Sequence, residues 1–171
     1  MLNPAHRRLA SAWVPVAIWM GVIFLASTDL GAANQTSRVI EPLVHWIKPD
    51  ATADQVDLVH FLVRKTAHLT EYAALGLLLL RALRLSFPRF QQNLRAAAAT
   101  ALALAACYAA TDELHQSFVA DRTACLQDVA IDTAGACTSI AAATAVLVFR
   151  RKRSFAAAGP ASAAAFESVR R

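Results

Sequence analysis

The sequence lacks the short motifs that build most soluble active sites. It has no Walker loop, no Rossmann glycine set, no GxSxG elbow and no CxxC pair, so nothing supplies a nucleotide cradle, an acyl-enzyme serine or a redox dithiol. Its three cysteines, Cys107, Cys125 and Cys137, form neither a close pair nor an even disulfide set and read as packed thiols. Charge is also scarce. Asp, Glu, Lys and Arg make up 17% of the 171 residues against 57% apolar, with a mean hydropathy of +0.41, more than a soluble domain of this size carries. The apolar excess must therefore face something other than water. The net charge of +5 does not point to nucleic acid, because the bases flank apolar runs instead of forming a stripe with exposed aromatics.

What is present is four apolar runs, at 9–27, 67–85, 96–111 and 129–149, each near the roughly 20 residues a helix needs to cross about 30 Å of hydrocarbon. They predict an all-α polytopic membrane protein with four transmembrane helices. The third run, AAAATALALAACYAA, is short and Ala-rich; it needs neighbours to stay inserted, and its small side chains suit close packing. The fourth carries Gly135, Ser139 and Ala143 at four-residue spacing, a small-residue row that admits a neighbouring backbone. The first can also be read as a cleaved signal peptide, since Arg7 and Arg8 precede it and small residues follow in FLASTDLGAA, but its length exceeds a signal-peptide core. A soluble bundle is disfavoured by the basic flanks of LGLLLLRAL and VLVFRRKR.

The bases set an orientation. With both termini cytoplasmic, Arg7, Arg8, Arg81, Arg84, Arg89, Arg95, the run Arg150 to Arg153, Arg170 and Arg171 lie inside, leaving Arg38, Lys48, Arg64, Lys65 and Arg122 outside. The acids divide more sharply: of twelve, only Glu167 is inside. The domain expected is one four-helix membrane unit over 1–153 with a flexible cytoplasmic tail over 154–171. The outer segment 28–65 is too polar to span. It holds two apolar-periodic pieces, SRVIEPLVHWI, broken by Pro42, and TADQVDLVHFLVRK, which Thr52 or Asp54 can cap. Both are expected as short helices on the outer surface, with Trp46 and Phe61 at headgroup depth.

Three stretches hold nearly every residue able to do chemistry: RKTAHLTEY at 64–72, DELHQSFVADR at 112–122 and DVAIDTAG at 128–135. In the topology above all three lie at the outer membrane boundary. On a helix Lys65, His68 and Tyr72 share a face with Glu71 at its margin; Asp112, His115 and Gln116 share another; Asp128, Asp132, Gly135 and Ser139 line a third. These faces can converge on one pocket. A charge within the bilayer costs roughly 2.5–3.5 kcal/mol even on the lenient scale, so Glu71 and Asp132 must find partners. Lys65, Arg64 and Arg122 are the cations at hand. Mutual neutralisation that only fastens the helices is the plain alternative, but two histidines, several carboxylates, Glu113 among them, and a tyrosine exceed what fastening needs. His6, His45 and His60 read as ordinary surface or interfacial residues.

Taken in order, KxxHxxEY at 65–72, DExHQxF at 112–118, Arg122 and DxxxDxxG at 128–135 resemble the VanZ-like membrane proteins. The similarity spans roughly 14–148, and the ordered set is far more specific than any one piece of it. The resemblance implies a four-helix protein of the bacterial inner (plasma) membrane and cell envelope, in a family named for an accessory factor in resistance to the glycopeptide teicoplanin. It implies neither an established reaction nor resistance as this chain's role. Asp132 departs from the pattern, since many relatives carry Asn there, and adds a charge.

Three functions follow as expectations. The leading one is a protein that binds or modifies an anionic lipid or lipid-linked wall precursor. Arg64, Lys65 and Arg122 would meet the phosphate, with Tyr72, Gln116, Asp128 and Asp132 completing the pocket. His68 with Glu71, and His115 with Asp112 and Glu113, would serve as general acid and base. The second is a divalent-metal site built from His68, Glu71, Asp112 and His115. The third is a non-catalytic membrane partner or proton-coupled carrier. Four helices are few for a carrier unless two copies pair, so a homo-oligomer belongs to that reading.

Overall fold

The computed structural model describes residues 3–28, 33–119 and 125–157. Among these, regular structure is entirely helical: α1 (Pro4–Ala26), α2 (Ala33–Ile47), α3 (Ala53–Ser86), α4 (Pro88–Gln92), α5 (Leu94–Gln116) and α6 (Leu126–Ala157). Local chemistry explains the ends. Thr52 is extended before α3, and its amide donates to Gln55 Oε1 at 3.3 Å, half of a capping box. At the other end Phe87 precedes Pro88, which disfavours helical backbone and breaks the chain. Asn93 then caps α5, accepting from the Ala96 amide at 3.0 Å. The turn from α3 back into α5 is thus a proline stop, a short helix and an asparagine start.

α3 is the central element, packing against α1, α2, α5 and α6. Its Leu75, Leu79, Leu80 and Leu83 meet Ala12, Val16 and Ile23 of α1, and Ala136 and Ile140 of α6, in one core. The Ala-rich helix α5 enters through Ala97, Ala101, Ala105 and Ala109, a four-residue stripe that is completely buried. The outward faces remain apolar, with Val14, Ile18, Val22, Leu25, Leu104, Val146 and Phe149 exposed. This is the inverse of a soluble bundle and suits a lipid surround.

Among the described residues three helices are long and apolar enough to cross a membrane: His6–Ala26, Leu94–Gln116 and Leu126–Ser154. They correspond to the first, third and fourth apolar runs, the first starting three residues earlier and ending one earlier, the other two extended at both ends. α3 is not among them, because its 67–85 half is interrupted by Glu71, Arg81 and Arg84. Two expectations are corrected. Pro42 does not break its segment: α2 runs through it, because Pro42 is exposed, where water can replace the amide bond it cannot donate. The piece beginning at Thr52 is not a separate surface helix. Nothing between Ala53 and Ser86 stops propagation, so it continues as the first half of α3. The tail expected from residue 154 begins as helix, through Ala157; its remainder lies outside the described residues.

The α3–α6 seam brings two helix backbones into close approach. A Cβ added at Gly135 would sit 2.3 Å from the Leu69 carbonyl oxygen, and one at Gly76 would meet Ala136 Cα, its carbonyl oxygen and Ser139 Oγ at 3.1 Å. The small-residue row of α6 therefore lies against the backbone of α3, and Gly76 answers it from the other side.

Candidate functional site

The α3–α6 seam carries two polar rungs, one turn apart. In the first, Lys65 Nζ hydrogen-bonds Asp128 Oδ1, and Arg64 Nη2 lies 3.5 Å from Asp128 Oδ2. Asp128 is in the first turn of α6, where the helix N-terminus also favours a negative charge. In the second, His68 Nδ1 and Asp132 Oδ1 are 3.2 Å apart. Matched spacing gives the seam two rungs once its register is set: Arg64 and His68 are four residues apart on α3, as Asp128 and Asp132 are on α6. Gly135 then closes the backbones at the next turn.

A second polar group joins α1 to α5. Ser27, just past the end of α1, donates to Asp112 Oδ2 at 2.8 Å, while Gln116 Nε2 reaches Asp112 Oδ2 at 3.2 Å and Ser27 Oγ at 3.3 Å. Glu113, on the adjoining side of α5, accepts from the Cys125 amide at 2.8 Å and so fastens the start of α6. Tyr72 is completely buried between these groups and the core, its ring 6.2 Å from that of Tyr108, whose hydroxyl donates to the Met20 carbonyl at 2.7 Å. Trp19 donates to the Glu71 carbonyl at 2.8 Å.

Beside the rungs lies a cavity of about 480 Å³. Its polar lining is Ser27, Thr36, His60, Arg64, Lys65, His68, Glu71 and Asp128; its apolar walls include Ala26, Ile40, Phe61, Val63 and Ala67. α2 supplies one wall through Thr36 and Ile40 and leaves Val39, Leu43, Trp46 and Ile47 exposed.

Most of the expected site residues are brought together, but not in the expected pairs. Arg64, Lys65, His68, Glu71 and Asp128 line the cavity, whereas Asp112, Glu113, Gln116, Tyr72 and Asp132 are buried behind it. His115 shares the α5 face of Asp112 and Gln116 and likewise meets the end of α1: it stacks on Phe24, centroids 4.5 Å apart, and is not part of the lining. Arg122 lies outside the described residues. Among the described residues no group of three or more His, Cys, Asp or Glu side chains is arranged to hold a metal ion.

Three participants escaped sequence reasoning. Ser27 stands at the end of an apolar run, where it reads as a helix terminus. His60, expected as an ordinary surface or interfacial residue, lines the cavity from α3. Cys125 contributes its backbone, which no side-chain motif reveals. Ser27 gives a direct test. Ser27→Ala removes a buried donor to a carboxylate and should destabilise the protein by about 1.5–3 kcal/mol, read as a lower thermal midpoint in detergent. Cys107→Ser, at an exposed thiol, should change it by less than about 0.5 kcal/mol.

No curated protein and no solved structure matches the chain. In the comparison with protein families, residues 12–150 match the VanZ/LLP1 family. That stretch takes in all three candidate spans but for the outer ends of the first and last, and both rungs of the α3–α6 seam; the chain belongs to the VanZ/LLP1 family and is a multi-pass membrane protein of the cell envelope.

Proposed function

We propose that the protein spans the inner membrane four times, with the 67–85 half of α3 as the second span and both termini cytoplasmic, and that the cavity receives the anionic headgroup of a lipid or lipid-linked wall precursor. The distribution of bases supports this orientation. α2, with Trp46 and Ile47 on its exposed apolar side, would lie at headgroup depth in the outer leaflet.

The observation that carries the reading is the state of Arg64. Its guanidinium lines the cavity, its Nε is buried without a hydrogen-bond partner, and its Nη2 stands at 3.5 Å from a carboxylate that Lys65 already engages. Two oxygens of one phosphate would accept from Nε and the adjacent Nη, the bidentate geometry to which guanidinium is suited. The apolar walls from Ala26, Ile40, Phe61 and Val63 would receive the upper part of the lipid chain.

The test is retention of phosphatidylglycerol against phosphatidylcholine by the gently purified protein, read by native mass spectrometry. Phosphatidylglycerol should be preferred, and Arg64→Ala should weaken its binding by roughly 10–100-fold, as expected for losing a charge-assisted pair. Equal retention of the two lipids, or an unchanged affinity in Arg64→Ala, would refute the reading.

A further inference from the structure

We infer that the cavity hydrolyses the phosphoester of a membrane-anchored amphiphile, with His68 transferring the proton and Asp132 positioning it. This rests on the anionic-headgroup reading above and adds a reaction to it.

Of the five histidines, His60 and His68 line the cavity. Among the described residues, His68 is the histidine held by a carboxylate from another helix. An ionised Asp132 can only accept, so Nδ1 carries the proton toward it and Nε2 is left as the basic nitrogen. Asp132 is completely buried and His68 nearly so. The ring is therefore held in one orientation and one tautomer, the arrangement by which a buried aspartate serves a catalytic histidine. His115 has no such partner, since its ring is stacked on Phe24.

The two rungs supply complementary parts. Arg64 and Lys65 provide charge for the phosphate, and His68 stands one helical turn away, about 5.4 Å along the axis, a separation suited to a phosphate group and an attacking water. Apolar walls on the same cavity favour an amphiphile over a free phosphate ester.

In the reaction, His68 Nε2 takes a proton from water as the water oxygen bonds to phosphorus. The bond from phosphorus to the ester oxygen breaks, its electron pair leaves on that oxygen, and the His68 imidazolium protonates it. One water is consumed; a lipid alcohol and inorganic phosphate are formed, with no change of oxidation state.

The experiment follows inorganic phosphate released by the full chain in phosphatidylcholine vesicles carrying either phosphatidate or a polyprenyl phosphate. These probes share the phosphomonoester and differ in the anchor, so the arm that turns over identifies the lipid class. His68→Gln should lower turnover by about 10²-fold or more, the usual contribution of a general acid–base residue. Asp132→Asn should lower it less and shift its pH profile, which a purely structural change would not do. Both variants should still retain the probe. Turnover unchanged in His68→Gln, or no phosphate release by protein that binds either probe, overturns the inference and leaves the headgroup reading standing. Failure to bind both probes overturns both.

Discussion

Replacing Gly135 with alanine is expected to destabilise the protein strongly, although alanine is the better helix former. In an open helical position Gly→Ala stabilises by roughly 0.5–1 kcal/mol, because it restricts the unfolded chain and favours helix. Gly21 is such a position, with nothing within 4 Å of an added Cβ, and Gly21→Ala should raise the thermal midpoint slightly. At Gly135 the new methyl would stand 2.3 Å from the Leu69 carbonyl oxygen. The obstacle is backbone of the central helix, which no rotamer change can move, so α3 and α6 must part. Overpacking in a filled core costs about 1–3 kcal/mol, and here separation would also stretch the His68–Asp132 contact one turn away. Thermal unfolding in detergent should show the two substitutions moving the midpoint in opposite directions. A rise at both positions would mean that the seam is looser than described.

This seam also shows what can be read from the chain and what cannot. Small residues at four-residue spacing on α6, and carboxylates at the same spacing, are periodic features, and periodicity survives in a sequence. The partners across the gap are different. That Lys65 meets Asp128 and His68 meets Asp132 depends on the relative height of two helices, which is set by where Gly76 and Gly135 allow their backbones to touch. His115 illustrates the same limit. Its helical face admits several neighbours, and the presence of Phe24 on α1 decides which one it takes. Ser27 was hidden because its bonds are to residues 85 and 89 positions away. The continuity of α3 was obscured for a local reason: its first half is polar and its second apolar, so composition divides what the backbone joins.

The largest electrostatic effect is expected at Asp128, and it should depend on which partner is removed. The carboxylate is 1% exposed, Lys65 is 17% exposed, and Arg64 is 38% exposed at 3.5 Å. Lys65→Met leaves a buried anion with a partly solvated guanidinium 3.5 Å away. Breaking a buried pair by losing one member typically costs 3–5 kcal/mol, and the low end, about 3 kcal/mol, is expected here because Arg64 and the α6 N-terminus both remain. Asp128→Leu strands cations instead, and these have somewhere to go: Lys65 already lies 5.3 Å from the Phe61 ring centroid, and both stems are long enough to carry their heads to water. Its cost should be smaller. The double variant Lys65→Met with Asp128→Leu removes both charges and should recover most of the stability lost in Lys65→Met alone, giving a coupling of about 1–3 kcal/mol in a double-mutant cycle read by unfolding in detergent. Additive single effects would show that the pair does not hold the seam. A recovered double variant that no longer retains phosphatidylglycerol would separate the two tasks of this rung, holding α3 to α6 and keeping Arg64 posed over the cavity.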